Sequence, residues 1–155
     1  MTDTDLKQLR RAIHLAQQAR DHGNHPFGAL LADEHGEILL EAENTVNTDH
    51  DATAHAETNL VRLASRKFSA EALSNYTLYS SCEPCPMCAG AIFWSGIGRV
   101  VYALSEENLY SLTNNSSDKL LLGCREVLSH GARLTQVVGP AIENEARKVH
   151  EGFWK

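Results

Sequence analysis

Two short segments of the sequence carry the residue types that bind a metal ion. The first contains His55, and the second contains Cys85 and Cys88 in the pattern P-C-P-M-C. Zinc accepts imidazole and thiolate ligands, and a catalytic zinc site has three protein ligands with one position left for water. One imidazole and two thiolates meet this count. The sequence therefore predicts one Zn²⁺ per chain, bound by His55, Cys85 and Cys88.

Glu57 follows His55 by two residues and is the candidate catalytic residue. A carboxylate beside a zinc-bound water can take a proton and deliver it to a leaving group. H-x-E followed by P-C-x-x-C is the signature of zinc-dependent nucleobase deaminases. Each half is weak alone, but both halves occur here about 30 residues apart. The combination predicts that Glu57 carries the proton.

Other interpretations of these residues stay open at this point. His55 alone fits a helix cap or a core position, and Glu57 alone fits a solvated helix face. A C-x-x-C pair also occurs in thioredoxin-like redox proteins. Cys82 is a possible fourth ligand, although at a strand end it would point away from Cys85. Each of these other interpretations leaves at least one of His55, Glu57, Cys85 and Cys88 without a role, whereas the deaminase hypothesis gives a role to all four.

The hydrophobic pattern predicts the elements that position these residues. Strands are expected over residues 27–32, 38–40, 76–80, 99–103 and 134–138. Helices are expected over residues 5–20, 55–68, 87–94 and 141–152, with two more in 105–130 around a polar stretch at 114–117; residues 44–53 read as a loop. In the second helix, Leu60, Leu63 and Ala64 should face inward. Strands that alternate with helices indicate an α/β fold with a partly parallel sheet.

Composition narrows the class of protein. The chain has 155 residues, a size typical of one domain spanning 1–155, with 43% hydrophobic residues and a net charge of −6. This charge disfavours a nucleic-acid backbone as the main partner. Apolar runs stay shorter than the roughly 18–20 residues that span a bilayer. The polar start and the crowded cysteines predict a cytoplasmic protein without a membrane partner.

The sequence resembles the cytidine deaminase superfamily, in the branch of bacterial guanine deaminases and tRNA adenosine deaminases. The matching stretches are HPFGALLA at 25–32, Asn44 with the loop to DATAHAE at 51–57, and TLYSSCEPCPMCAGAIFW at 77–94. The resemblance covers about residues 5–105. It implies a three-layer α/β/α fold with a five-stranded mixed sheet in the order 2-1-3-4-5. It also implies a homodimer.

The resemblance assigns roles to several residues. It implies hydrolytic deamination, in which a zinc-activated water replaces an amino group and ammonia leaves, with Glu57 as the proton shuttle. Asn44 resembles the asparagine that binds the substrate base. Phe27, Gly28 and Ala29 resemble the part of the pocket wall that the first strand forms. The backbone groups of Ala56 and Ser81 resemble those that bind the edge of the substrate ring.

The substrate is harder to predict. The segment ending in Trp94 is closer to the guanine deaminases, which also use an acidic residue beyond the fourth strand and an aromatic tail over the pocket. Asp118 is the nearest acidic candidate, with Glu106 and Glu107 as rivals, and Phe153 and Trp154 supply an aromatic tail. The stretch 120–140 departs from the guanine deaminases.

Four functions are compatible with these features of the sequence. The first is deamination of a small purine base, guanine or a related heterocycle, or of a nucleoside. The second is adenosine-to-inosine deamination in tRNA, which needs a basic surface for phosphate. The third is a zinc-binding module without activity, and a cytosine- or cytidine-type deaminase is a further alternative. The charge of −6 favours a small molecule as the partner over a nucleic acid.

Overall fold

The computed structural model describes residues 1–113 and 117–154. Five strands form one sheet in the order β2-β1-β3-β4-β5, as the sequence predicts. The strands are β1 (Gly28–Ala32), β2 (Ile38–Glu43), β3 (Thr77–Cys82), β4 (Arg99–Leu104) and β5 (Gln136–Val138). Strand β1 is antiparallel to β2 and β3, whereas β3, β4 and β5 run parallel to one another.

Helices cover both faces of the sheet and complete three layers. They are α1 (Asp3–Asp21), α2 (Val46–Asp49), α3 (Ala56–Lys67), α4 (Ala70–Leu73), α5 (Pro86–Ser95), α6 (Glu106–Tyr110), α7 (Cys124–Ser129), α8 (Glu143–Arg147) and a 3₁₀ turn at Lys148–His150. In the described part of the chain, no helix is both long and apolar enough to cross a membrane.

Successive side chains of β1 point to opposite faces of the sheet, so the strand contributes to the hydrophobic core on both faces. Ala29 and Leu31 pack toward the layer that contains α3, α5 and α7. Leu30 and Ala32 pack toward α1 on the other face. All five residues of β1 are buried, because the strand lies inside the sheet and is covered on both sides.

Helix α1 packs very closely on the start of β1. A Cβ atom added to Gly28 would lie 2.5 Å from the Ala12 carbonyl oxygen and from the Ala16 backbone nitrogen. The helix begins with a capping box in which Thr2 and Asp5 exchange side-chain hydrogen bonds with each other's backbone. Arg99 pairs with the same Asp5 carboxylate at 2.8 Å, which ties α1 to β4.

Several expectations need correction. Leu63 is 44% exposed, because the buried stripe of α3 runs through Ala56, Glu57, Leu60 and Ala64. The segment 44–53 is not all loop, since it contains the one-turn helix α2. The terminal helix is shorter than 141–152 and ends in the 3₁₀ turn. Part of the polar stretch, 114–116, lies outside the described residues.

Candidate active site

Three metal-ligating atoms form a small triangle between α3 and α5. The Sγ atom of Cys85 lies 3.6 Å from His55 Nδ1 and 3.6 Å from Cys88 Sγ. The Sγ atom of Cys88 lies 3.5 Å from His55 Nδ1. No other group of three or more such residues within metal-binding distance occurs in the described residues.

These distances fit a tetrahedral zinc ion. With Zn–S bonds of about 2.3 Å and a Zn–N bond of about 2.0–2.1 Å, tetrahedral angles place the sulfurs about 3.8 Å apart and sulfur and nitrogen about 3.6 Å apart. The observed triangle is within about 0.2 Å of both values. Cys82 is not part of the group. Three protein ligands therefore leave one coordination position for solvent, as in catalytic zinc sites.

Helix starts bring the three ligands together. His55 is the N-cap residue of α3 and Cys85 is the N-cap residue of α5, and neither side chain caps its own helix. Pro86 occupies the first turn of α5, where its missing N–H costs no hydrogen bond. Cys88 follows one turn later, so both sulfurs face the same point. The helix N-termini favour the thiolate forms that zinc requires.

Interactions between the two thiols separate their pKa values. The hydrogen bond between the two thiols lowers the pKa of Cys85 to about 4. The same interaction, together with burial, raises the pKa of Cys88. Burial raises the pKa of Cys82 well above its usual range, so this thiol stays protonated. Of the two thiols, Cys85 is therefore the one that ionises more readily.

Glu57 lies beside the ligand triangle at the base of a cavity. Its side chain is buried, and Oε2 lies 3.5 Å from Cys88 Sγ. Its other oxygen, Oε1, is 2.8 Å from the Ser80 hydroxyl on β3. Burial raises the pKa of this carboxyl, which suits a group that accepts a proton and returns it.

The cavity has a volume of about 300 Å³ and opens above Glu57 and His55. Aromatic and acidic side chains dominate its wall. No lysine or arginine is among the described residues that line it. The lining residues are His25, Phe27, Asn44, His55, Glu57, Cys82, Glu83, Cys85, Glu106, Leu109, Tyr110, Thr113, Asp118 and Trp154.

The structure places half of the predicted site residues in the wall of this cavity. Besides His55, Cys85 and Glu57, the wall contains Phe27, Asn44, Asp118 and Trp154. Asn44 is 1% exposed, and its Oδ1 accepts a hydrogen bond from the Val46 backbone at 3.0 Å. Its Nδ2 group has no hydrogen-bond partner among the described residues. The side chain thus presents a hydrogen-bond donor at the cavity wall.

Other predicted residues support the wall without forming it. Gly28 packs against α1, and its backbone N–H donates to Ser81 Oγ at 3.1 Å. Ala29 and Ala56 are fully buried. Phe153 packs edge-on against Trp154, with ring centroids 4.8 Å apart. The roles of these residues in substrate binding stay predictions.

Trp94 does not lie at the cavity. It is in the last turn of α5, is 84% exposed and packs edge-on against Phe93. The prediction that Trp94 forms part of the substrate pocket does not hold, because its side chain points to the protein surface. Ser95 and Ile92 supply the buried side of this turn.

Seven wall residues were not predicted to lie at the site or had only a secondary place there, and they are His25, Cys82, Glu83, Glu106, Leu109, Tyr110 and Thr113. Leu109, Tyr110 and Thr113 have no motif that marks them, whereas His25 is the first residue of the stretch HPFGALLA. Glu83 accepts hydrogen bonds from the backbone N–H groups of Glu106 and Cys124, so it fixes the starts of α6 and α7. Glu106 lines the wall with a buried Oε1 that has no hydrogen-bond partner in the described part of the chain. Its position just after β4 was the sequence feature that made Glu106 a candidate for the acidic residue of the pocket.

The fold and the site together define a zinc-dependent deaminase: a mixed sheet in the order 2-1-3-4-5, a His/Cys/Cys triangle on two helix starts, and a buried glutamate beside it. Residues 2–104 match the family described as the cytidine and deoxycytidylate deaminase zinc-binding region. The chain belongs to this family.

Similar proteins act on different substrates. The chain is 46% identical over 99% of its length to a protein named probable cytosine deaminase from Schizosaccharomyces pombe, covering 94% of that protein. It is 40% identical over 68% of its length to a tRNA-specific adenosine deaminase from Haemophilus influenzae, covering 61% of that protein. The structure of a guanine deaminase from Bacillus subtilis superposes with a TM-score of 0.66, at 38% identity over 76% of this chain and 73% of that one.

Proposed function

We propose that this chain catalyses hydrolytic deamination of a free nucleobase. The observation that carries the proposal is the position of the buried Glu57 carboxyl. It lies between the zinc-ligand triangle and a cavity of about 300 Å³, part of whose wall is Trp154. This volume accommodates a single planar heterocycle.

Each wall residue has a role that follows from its chemistry. A bound zinc ion would activate the attacking water and stabilise the negative charge that develops on its oxygen. Glu57 accepts one proton from the water and delivers it to a ring nitrogen, and it then transfers the second proton of the same water oxygen to the amino group, which leaves as ammonia. Asn44 Nδ2 donates to the ring edge. Phe27 and Trp154 supply aromatic surface for the ring and exclude water.

Charge supports a small neutral substrate. The carboxyl groups of Glu57, Glu83, Glu106 and Asp118 all line the cavity, and its described wall has no lysine or arginine. A phosphate group there would meet the negative charge of these acidic side chains. The net charge of −6 likewise disfavours the phosphate contacts that dominate RNA binding. A free base therefore fits better than a nucleotide or a tRNA.

Cytosine is the first base to test. The relative named probable cytosine deaminase matches nearly the whole chain, including the region after residue 104 that forms α6 and the aromatic segment around Trp154. That region supplies Glu106, Leu109, Tyr110 and Trp154 to the wall.

Guanine is the second candidate, because the cavity is large enough for a purine. The unpartnered Oε1 of Glu106 is an acceptor for the adjacent N–H donors of a guanine edge. The matching guanine deaminase structure from Bacillus subtilis also retains the fold around this site.

Ammonia release from a substrate panel tests the proposal. The zinc-loaded protein is incubated with cytosine, guanine, adenine, the matching nucleosides and a tRNA anticodon stem-loop, and zinc content is measured in parallel. We expect turnover of a free base, with cytosine first. Inosine formation in the RNA without turnover of any base would assign the second function, and one zinc per chain without any ammonia would indicate a binding module.

A further inference from the structure

The Arg20 side chain of α1 binds the terminal segment, residues 149–154. Arg20 Nη1 donates to the carbonyl oxygens of Val149 at 2.9 Å and Glu151 at 2.7 Å. The Arg20 guanidinium carbon also lies 5.6 Å from the centre of the Phe153 ring. Among the described residues, Arg20 forms no ion pair with a carboxylate. Its hydrogen bonds are directed to this segment.

The two carbonyls that Arg20 binds flank His150, and His150 holds Trp154. The Trp154 Nε1–H group donates to His150 Nδ1 at 3.1 Å, and the two rings are within 13° of coplanar. His150 is 2% exposed, and burial lowers its pKa and favours the neutral ring, whose Nδ1 accepts the Trp154 N–H. Gly152, at a positive φ of 72°, turns the chain between the two rings.

Trp154 then reaches the wall of the cavity. Its ring contacts His25 edge-on at 5.7 Å and Phe27 at 6.1 Å, and all three side chains line the cavity. A continuous set of contacts thus runs from Arg20 on α1 through His150 to the aromatic wall. Arg20 itself does not line the cavity.

We propose that Arg20 is a positioning residue that sets the affinity for the substrate base by fixing Trp154 in the cavity wall. This inference rests on the proposed function, because it takes the cavity as the site of the base. Glu57 and the metal ligands stand on or beside α3 and α5, which Arg20 does not contact through any hydrogen bond. Loss of Arg20 should therefore weaken binding far more than it slows the chemical step.

A purely structural role for Arg20 predicts a different result. The variant would then unfold at a lower temperature, while KM and the environment of Trp154 in the folded protein stay unchanged. A positioning role requires that Trp154 becomes accessible while the protein remains folded. The two roles are therefore separable by a probe on Trp154.

The protein offers such a probe, because it has two tryptophans and Trp94 is exposed at the surface. In a W94F background, fluorescence reports Trp154 alone. Arg20→Gln is compared with Arg20→Lys, which keeps a cation that donates hydrogen bonds, and with Arg10→Gln. Arg10 is the matched control, since it is also on α1 and pairs at the surface with Glu145.

Two measurements decide the proposal. Acrylamide quenching of Trp154 should rise at least about twofold in Arg20→Gln, rise less in Arg20→Lys and stay unchanged in Arg10→Gln. With cytosine, or the base that the panel identifies, KM should rise about tenfold in Arg20→Gln while kcat stays within about twofold, as expected when a hydrogen-bonded anchor is lost.

Unchanged quenching in folded Arg20→Gln, or a fall in kcat without a rise in KM, would overturn the proposal. The quenching result does not depend on turnover, so it tests the anchor even if no base is deaminated. If Arg20→Gln does not fold, Arg20→Lys decides: it must show both a partial rise in quenching and a partial rise in KM.

Discussion

The Ser80 hydroxyl oxygen lies 2.8 Å from Glu57 Oε1 and 2.6 Å from the Cys82 carbonyl oxygen. Ser80 is 1% exposed, so these groups are its partners in place of water. Because the opposite carboxyl oxygen of Glu57 faces Cys88, Ser80 fixes the rotation of the carboxyl group. The strand β3 therefore orients the proton carrier that α3 supplies.

Glu57→Gln should keep the fold and the zinc but lose activity. The amide has nearly the same shape and cannot carry the proton, and general acid–base groups contribute about 10²–10⁴-fold in rate. Ammonia release and metal content are measured on the same preparation. Glu71→Gln, at an exposed position of α4, is the control. A Glu57→Gln variant within about tenfold of the parent rate would show that another group carries the proton.

Ser80→Ala should lower kcat by about 10–100-fold, because a hydrogen bond to a charged group contributes about 1.5–3 kcal/mol. Ser80→Thr keeps the hydroxyl and should retain most of the activity. Ser95→Ala removes another buried serine hydroxyl, which bonds the Ile92 carbonyl at 2.7 Å at the far end of α5 from Cys85. If Ser80→Ala and Ser95→Ala lower kcat equally, the effect comes from packing and not from the orientation of Glu57.

The metal site was predictable because its chemistry is local. His55, Cys85 and Cys88 lie on two helix starts, and residue type with spacing was enough to identify them. Alternation and turn residues likewise predicted the five strands and, with the family resemblance, their order.

The substrate wall was less predictable because it depends on tertiary contacts. Leu109 and Tyr110 have no local pattern, and they reach the cavity only because helix α6 lies beside it. Trp94 lies in the last turn of the ligand helix α5, and the helical turn directs it to the surface. The homodimer remains a prediction that analytical ultracentrifugation tests.

Stability should fall on acidification because of His150. Burial lowers the pKa of His150 to about 4, below the value of 6.5 for an unperturbed histidine. Between these values the unfolded chain binds more protons, so this group's contribution is fully present above about pH 6.5 and is lost as the pH falls to about 4. The loss is up to about 3 kcal/mol.

Urea unfolding at a series of pH values measures this dependence. His150→Phe should flatten the curve between pH 6.5 and 4, and the exposed His35, replaced by Gln, is the control. An identical slope in His150→Phe and the parent would exclude His150 as the source. In a W94F background, Trp154 fluorescence should change over the same range, since protonated Nδ1 no longer accepts the Trp154 N–H.

Asn44 should contribute to substrate binding through its amide N–H and to the loop through its amide oxygen. Oδ1 accepts from the Val46 backbone, and the side chain lines the cavity. Asn44→Ala removes both functions, so it should lower stability and kcat/KM. Asn44→Asp keeps an oxygen for Val46 but replaces the donor with an acceptor. It should therefore remain nearly as stable as the parent, while kcat/KM falls about 10–100-fold, the effect of leaving a buried polar group unpaired.

Asn47→Ala, at an exposed position in the same loop, should leave kcat/KM unchanged. Thermal unfolding and initial rates with the identified base measure both properties. Parental kcat/KM in Asn44→Asp would mean that Asn44 serves the loop alone and that the ring edge is read by another group.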